Sequence, residues 1–196
     1  MHLPPLFHGT LIKRYKRFLA DITLDNGNII TAHVPNSGAM SSIIEEGCDV
    51  WVSHHDNPKR KLNYTLELTD VGSGFICTNT NHANAIAIEA VKKGEIPELR
   101  GYRSIKPEQK YGQNSRIDIL LEKEDETCYV EVKSVTLRIN DDLAFPDAVT
   151  TRGTKHLYEL INMCKEGHRA VMLYIVQRSD GDVFRIADEI DSIYNN

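Results

Sequence analysis

The chain has 196 residues, of which 41% are hydrophobic, and a formal net charge of -5. This length suffices for one domain or two small ones with a real core, and no apolar run approaches a membrane span. The negative charge argues against a protein that coats nucleic acid through its overall field. The opening MHLPPLFHGT lacks the basic and apolar regions of a signal peptide, so we expect a cytoplasmic protein whose four cysteines are reduced core residues.

The first part of the chain predicts a small all-β domain, which we place over residues 1–80. Runs rich in β-branched and aromatic residues alternate with turns that contain Gly, Asn and Asp. The candidate strands are Gly9–Leu24, Ile29–Val34, Asp49–His54, Leu62–Asp70 and Gly74–Thr78. Five strands with a long first one suit a partly open barrel of the OB type, whose exposed face binds oligonucleotides. A small SH3-like barrel has the same strand count.

The basic residues of this domain are concentrated in two clusters that can hold phosphates. They are Lys13, Arg14, Lys16 and Arg17 in KRYKR, and Lys59, Arg60 and Lys61 in KRK. A solvated strand face explains a single cluster equally well. We therefore treat these residues as candidate nucleic-acid contacts.

A helix is predicted after the barrel, capped by Asn79 to Asn81 and ended by Gly94. Its sequence NHANAIAIEAV is almost wholly apolar or small, and Glu89 is the only formal charge within it. A buried helix with one carboxylate is what a nuclease-like fold places behind its metal site, so Glu89 is a candidate ligand. The alternative is that Glu89 faces solvent near the end of the helix.

The stretch SRIDILLEKEDETCYVEVKS predicts a hairpin with strands Arg116–Leu121 and Cys128–Val135. Because side chains alternate along a strand, Glu131 and Lys133 share one face, and Asp118 interrupts an otherwise apolar strand. Ionisable groups where a sheet favours apolar ones need a partner, water or a cation. Asp, a loop and then Glu-x-Lys form the core of the PD-(D/E)xK nuclease-like motif.

Two carboxylates at adjacent strand ends offer hard oxygen ligands to Mg2+ or Mn2+, and the carbonyl of Val132 could supply a third. We therefore predict that Asp118, Glu131 and Lys133 are catalytic and that Asp118, Glu131 and Glu89 bind the metal. Lys133 would orient the attacking water or stabilise the developing negative charge. The spacing also occurs by chance, and a salt bridge between Glu131 and Lys133 on an exposed hairpin would explain it without a metal.

A second helix is predicted from about Gly153 to Lys165, capped by the threonines of FPDAVTTRGTKH. Leu157, Leu160, Ile161 and Cys164 recur at helical spacing and are expected in the core. Arg152 and Lys155 near the helix start, together with Arg116, are candidate phosphate contacts, and His156 is expected at the surface. The strand AVMLYIV follows and completes an α-β-β-β-α-β order, the nuclease-like core, over residues 81–196.

The chain resembles the sugar fermentation stimulation protein A family across essentially its whole length. The matching stretches are LIKRYKRFLADI, HVPNSGAM, DNPKRK, GFICTNT, SRIDILL, YVEVKSVTL, FPDAVTTRGTKHL and RAVMLYIV. The resemblance implies an OB-like domain followed by a PD-(D/E)xK-like domain, association with DNA without marked sequence preference, and a regulatory link to sugar use, notably maltose. It favours the metal-site interpretation. Family members continue into a further strand-containing tail, whereas this sequence stops at Asn196.

Three kinds of protein are compatible with these patterns. One is a nuclease, the second is a binding module that keeps the nuclease scaffold without cutting, and the third is a small-molecule-responsive transcription regulator. The third is disfavoured because we find no helix-turn-helix and no basic recognition helix. We predict a two-domain DNA-binding protein that retains the residues of a Mg2+- or Mn2+-dependent phosphodiesterase.

Overall fold

The structure is a computed structural model, and it describes residues 1–36, 38–40, 43–112 and 115–195. Its first strands form one sheet in the order β3-β2-β1-β4-β5-β6, with antiparallel neighbours, and β3 also pairs with β5 in parallel. The strands are β1 (Leu6–Tyr15), β2 (Leu19–Leu24), β3 (Ile29–His33), β4 (Asp49–His54), β5 (Tyr64–Asp70) and β6 (Phe75–Cys77). The pairing of β3 with β5 closes β1 to β5 into a barrel, and β6 extends β5 outside it.

The barrel interior follows from the alternation of side chains along each strand. In β2, every second residue is buried, namely Ala20, Ile22 and Leu24. These residues belong to one apolar cluster with Val50 and Leu66 of the neighbouring strands. The predicted OB-type five-stranded barrel is therefore confirmed.

The predicted long first strand, Gly9–Leu24, was wrong in one respect, because it is two antiparallel strands. Tyr15 pairs with Leu19, and the chain reverses between them. Lys16 and Arg17 in this turn have φ of 52° and 67°. Asn and Gly adopt this left-handed region far more readily than Lys or Arg, so the turn contains no residue type that would have predicted it.

The second part of the chain is a four-stranded sheet with a helix on each face. Its order is β12-β9-β8-β7, with β12 parallel to β9 and the other pairs antiparallel. Its elements are α1 (Asn81–Lys93), a 3-10 turn (Pro97–Leu99), β7 (Ser104–Tyr111), β8 (Ser115–Lys123), β9 (Glu126–Val135), α2 (Thr151–Lys165) and β12 (Arg169–Val176). The predicted α-β-β-β-α-β order is confirmed.

Three further strands and a short helix accompany this core. They are β10 (Leu137–Ile139), β11 (Asp142–Phe145), β13 (Val183–Ile186) and α3 (Ser192–Asn195). The strands form a small separate sheet in which β11 lies between β10 and β13.

The helices have clear termini. Gly94 ends α1 with φ of 66°, the left-handed conformation that glycine adopts without strain. The side-chain oxygen of Thr150 accepts a hydrogen bond from the backbone N–H of Gly153 and caps α2. No helix in the described part of the chain combines the length and apolarity needed to cross a membrane.

The barrel and the α/β unit are joined by several hydrogen bonds. The backbone N–H of Cys77 donates to the carbonyl of Gln177 at 2.8 Å, and Ser73 Oγ donates to Asp180 at 2.8 Å. Buried Glu67 of β5 also contacts His82 Nε2 of α1 at 2.7 Å. These contacts join the two parts of the chain along a shared boundary.

Candidate metal centre

A cleft of about 560 Å³ lies where the barrel meets the α/β unit. Arg17, Asn36 and Gly38 line it from the barrel side. A Cβ atom built on Gly38 would lie 2.1 Å from an oxygen of Asp147, so the two sides approach closely here. The other wall comes from the start of α1, from β8 and β9, and from the start of α2. Its lining residues include Asn84, Asp118, Glu131, Lys133, Arg152 and His156.

The predicted hairpin forms and places both acidic residues at this cleft. Its strands are longer than predicted, because they extend to Lys123 and restart at Glu126, leaving only two residues in the turn. Val130 and Val132 pack in the apolar cluster that includes α1, as the alternation predicted. Glu131 and Lys133 therefore face the opposite side, toward α2.

Asp118 is held by two hydrogen bonds. Asn84 Nδ2 donates to its Oδ1 at 2.8 Å, and the backbone N–H of Val132 donates to its Oδ2 at 2.8 Å. Burial raises the pKa of Asp118, and the negative charge of Glu131 raises it further. The negative charge of Glu131 therefore disfavours ionisation of Asp118.

Glu131 is 2% exposed, and only one of its two carboxylate oxygens has hydrogen-bond partners in the described chain. Lys133 Nζ donates to its Oε1 at 2.6 Å, and His156 Nδ1 meets the same oxygen. Burial raises the pKa of Glu131, but the contacts with His156 and Lys133 outweigh it, so the pKa is lowered and the carboxylate is ionised. Its Oε2 is buried and has no hydrogen-bond partner in the described chain.

These two carboxylates fit a divalent cation. A buried carboxylate oxygen without a partner is costly, and a cation would satisfy Glu131 Oε2. The oxygens of Asp118 can each accept a second contact, and hard oxygen ligands suit Mg2+, Mn2+ and Ca2+. Among the described residues, however, no group of three or more His, Cys, Asp or Glu side chains converges on one point. The two carboxylates of Asp118 and Glu131 thus form the centre of the site, Asp147 lines the same cleft, and water, backbone or substrate would complete the ligand shell.

Glu89, the third predicted ligand, does not lie with Asp118 and Glu131. It is partly exposed and pairs with Lys93 Nζ at 2.7 Å and with the amino group of Met1. The residue of α1 that contacts Asp118 is Asn84. Five residues correspond to about 140° of rotation around a helix, so Glu89 points away when Asn84 faces the sheet.

His156 was expected at the surface, and this was wrong, because it is only 7% exposed. The buried face of α2 differs from the predicted apolar face, because Ile161 and Cys164 are exposed. The buried face runs through Gly153, His156, Glu159, Leu160 and Met163. These residues recur at helical spacing, and this pattern could have predicted that His156 lies on the buried face, against Glu131.

Three of the predicted basic residues border a groove of about 800 Å³ beside His156, namely Arg116, Arg152 and Lys155. Lys110 also lines this groove. Arg152 lines the metal-site cleft as well, so the groove and the cleft adjoin. Lys155 forms an ion pair with Glu159 at 3.6 Å. The groove therefore presents several cations next to the two carboxylates.

The basic clusters of the barrel divide into structural and exposed residues. Arg14 donates to the carbonyls of Ala39 and Gly38 and of other neighbours, and Arg60 donates to Thr65 Oγ1 at 2.7 Å. These two arginines hold loops. The exposed members are Lys13, Lys16, Arg17, Lys59 and Lys61. Lys13 lies 3.8 Å from Asp21, and Arg17 lines the cleft.

The match to known proteins covers both parts of the chain. Residues 12–78 match the family model described as SfsA N-terminal OB domain, and residues 81–196 match the one described as Sugar fermentation stimulation protein RE domain. A sugar fermentation stimulation protein homolog of Geotalea uraniireducens (strain Rf4) is 51% identical over 195 residues, which is 99% of this chain and 84% of the relative. A homolog of Rhodospirillum centenum (strain ATCC 51521 / SW) is 55% identical over 192 residues, covering 97% and 82%.

A solved structure is also similar. The structure of Pyrococcus furiosus SfsA in complex with Ca2+ superposes with a TM-score of 0.88 at 26% sequence identity, over 98% of this chain and 82% of that one. That relative was therefore seen with a divalent cation that prefers oxygen ligands.

Proposed function

Because this chain belongs to the sugar fermentation stimulation protein family, whose second family model describes an RE domain, we propose that it binds DNA with little sequence preference. In this proposal, the cleft between its two domains is a Mg2+- or Mn2+-dependent phosphodiesterase site. Asp118 and Glu131 hold the metal, and Lys133 acts on the reacting groups. The exposed basic residues of both domains hold the DNA backbone.

One observation carries the proposal: the unpartnered, buried Oε2 of Glu131 in a cleft that Asp118 also lines. A structural ion pair alone would leave this oxygen without compensation. A divalent cation compensates it, and the relative from Pyrococcus furiosus was solved with Ca2+. Ca2+ often occupies oxygen-rich sites that Mg2+ and Mn2+ also use.

The residues around the carboxylates have separate tasks in this proposal. When bound, a divalent cation would neutralise phosphate charge and favour attack on phosphorus. Lys133 Nζ lies 2.6 Å from Glu131 Oε1 and lines the same cleft, so its ammonium can orient the attacking water or stabilise charge on a phosphate oxygen. His156 fixes the carboxylate of Glu131 from the α2 side. Arg17 and Arg152 line the cleft as cations for neighbouring phosphates.

A second candidate function is a binding module that keeps the nuclease scaffold without cutting. It is favoured by the position of Glu89, which pairs with Lys93 outside the cleft, so that α1 supplies no carboxylate to the site. Such a protein would bind DNA and a metal but would not cleave. We also propose that any effect on sugar use, maltose included, follows from this DNA binding, because the relatives' name connects the family with sugar fermentation.

The test combines metal binding and cleavage. Calorimetry with Mn2+ should show weak binding that tightens when an oligonucleotide supplies phosphate oxygens to complete the shell. Asp118→Asn should abolish this binding, whereas Glu89→Gln, a change in the matched carboxylate outside the cleft, should leave it intact. Absence of Mn2+ binding with and without oligonucleotide would remove the metal site from the proposal.

Cleavage decides between the two functions. Supercoiled plasmid incubated with Mg2+ or Mn2+ should be nicked by the wild type and by Glu89→Gln, and not by Asp118→Asn. If the wild type binds Mn2+ and DNA but leaves the plasmid intact, the binding module replaces the phosphodiesterase. Equal nicking by Asp118→Asn would assign the activity to a contaminant.

A further inference from the structure

Three aromatic rings meet on the barrel at the point where β4 ends and β5 begins. His54 and Tyr64 are the last pair of these strands, and their ring centroids are 4.8 Å apart. Phe7 of β1 lies 6.5 Å from His54 and 6.4 Å from Tyr64, edge to face with both. Phe7 is 47% exposed. We call Phe7, His54 and Tyr64 the ring cluster.

The loop that leaves the ring cluster carries the second basic group of the barrel. This loop joins His54 to Tyr64 and contains Lys59 and Lys61, both exposed. Its shape is held by internal hydrogen bonds. The N–H of His55 donates to the carbonyl of Asn63 at 2.8 Å, and the N–H of Lys59 donates to Asn57 Oδ1 at 3.0 Å. The two lysines are therefore held on a short, closed loop whose two ends are the rings.

Arg60, between the two lysines, contributes to this shape and is less available for a ligand. It donates to the carbonyl of Leu62 at 3.2 Å and to Thr65 Oγ1 at 2.7 Å. One acidic residue, Asp56, lies in the same loop with its carboxylate 3.6 Å from His54 Nδ1. The loop therefore presents two exposed lysines beside a partly exposed apolar ring.

We propose that the ring cluster and Lys59 and Lys61 form a binding site for unpaired nucleotides. This inference rests on the proposed nucleic-acid binding and names a preferred form of the ligand. Bases stack on the exposed ring of Phe7 and its neighbours, and the phosphates that flank them contact the lysines. A single strand is the ligand because the base faces of a duplex are already covered by stacking, whereas those of an unpaired strand are free.

The barrel also provides a matched control surface. Phe75 is 51% exposed and packs edge to face on Trp51, with ring centroids 5.1 Å apart. The ring of His8 also contacts Trp51, with ring centroids 4.9 Å apart, and its nitrogens lie 2.7 Å from Asp25 and 3.4 Å from Asp49. Phe75 is about as exposed as Phe7, but two carboxylates, those of Asp25 and Asp49, lie at the His8 end of this second aromatic surface. Phosphates are repelled there, so it should not bind the strand.

The test compares two phenylalanine substitutions on one barrel. Fluorescence anisotropy is measured with a labelled deoxythymidine oligonucleotide and with a duplex of equal length, at fixed salt and without divalent metal. Phe7→Ala should weaken single-strand binding by about 5- to 150-fold, the effect of losing one stacked base, and should change duplex binding by less than about twofold. Phe75→Ala should change neither affinity.

A positive signal comes from a tryptophan placed in the ring cluster. In a Trp51→Phe background, Phe7→Trp should keep single-strand affinity, and its fluorescence should be quenched on titration with the oligonucleotide. This variant keeps a ring at the site, so it also carries the test if Phe7→Ala does not fold. An unquenched tryptophan at saturation would show that no base stacks there.

Several outcomes overturn the inference and are distinguishable from failure of the proposed function. Equal losses for duplex and single strand in Phe7→Ala, or the same loss in Phe75→Ala, would show a general effect in place of stacking. If the wild type binds duplex normally and Phe7→Ala binds single strands as the wild type does, only this inference fails. If the wild type binds neither ligand, both proposals fail together.

Discussion

Substitution of Glu131 by Gln tests the central ion pair directly. Glutamine keeps the size of the side chain and removes its charge, which leaves the ammonium of Lys133 without its anion. Glu131 is 2% exposed and Lys133 is also largely buried, so solvent screens their interaction little. Breaking a buried pair from one side costs about 3–5 kcal/mol. Because the glutamine oxygen can still accept one hydrogen bond, we expect a loss of about 3 kcal/mol.

The assay is reversible unfolding in excess EDTA, so that metal binding makes no contribution. For a chain of this size, about 3 kcal/mol corresponds to a decrease in Tm of about 6–12 °C. Urea denaturation should give a lower midpoint with an unchanged slope. Glu89→Gln is the matched control, and it should change Tm little because that carboxylate is exposed to solvent at its ion pair with Lys93.

Two results would refute the reasoning. A loss below about 1 kcal/mol in Glu131→Gln would mean that the pair is screened like a surface ion pair. A Glu131→Gln, Lys133→Met double variant that is no more stable than Glu131→Gln alone would also count against it, because removing the unpaired cation should restore part of the loss. Mn2+ should raise the Tm of the wild type and not that of Glu131→Gln, since only the wild type keeps both proposed ligands, and a ligand that binds the native state stabilises it.

Catalysis, DNA binding and acid stability can each be tested by changing one or two side chains. Lys133→Ala should lower plasmid nicking by about a hundredfold in single-turnover assays with DNA affinity nearly unchanged; a parallel loss of affinity would contradict this. Lys59→Ala with Lys61→Ala should reduce the slope of log duplex affinity against log salt by up to about 0.9 for each phosphate that is no longer neutralised, and an unchanged slope places the DNA backbone elsewhere on the surface. Hydrogen bonds from Arg178 lower the pKa of Asp180 in the native state. The ionised carboxylate of Asp180 therefore stabilises the native state above the pKa of an unfolded aspartate, about 3.9, and this stabilisation is lost as the pH falls toward the native pKa. Asp180→Asn should therefore flatten the acid side of the stability curve in urea titrations from pH 2 to 7.

The parts of the fold that sequence predicted well are those fixed by local pattern. Gly94 ends α1 as predicted, because a left-handed glycine acts within one turn, and at the start of α1 Asn79 Oδ1 accepts a hydrogen bond from the N–H of Asn81, although Thr80 makes no side-chain cap. The faces of the hairpin followed from strict alternation, with Val130 and Val132 on one side and Glu131 on the other. In each case, the deciding interaction lies within a few residues along the chain.

The parts that sequence missed depend on which face of a helix meets the sheet. By hydrophobicity alone Ile161 is a better core residue than His156, but His156 is buried because Glu131 supplies a charged partner on β9. Likewise, Glu89 was the only charge in its stretch, while the residue that reaches Asp118 is the neutral Asn84. Polar contacts between different helices and strands determine the positions of both His156 and Asn84. The sequence of a single strand or helix does not reveal such contacts.

The close approach of the two domains at Gly38 limits which barrels can be combined with this α/β domain. A side chain at that position would collide with Asp147, since a Cβ would lie 2.1 Å from its carboxylate oxygen. Asp147 is further held by the backbone of Ala39 and by the charges of Arg14 and Arg17. A barrel that carried any residue other than glycine at this position would displace one wall of the cleft. The two domains therefore cannot be exchanged independently between proteins without regard to this position. A hybrid that combines one domain of this chain with the other domain of a second protein should bind Mn2+ less well than either complete protein, unless glycine is kept at the position of Gly38.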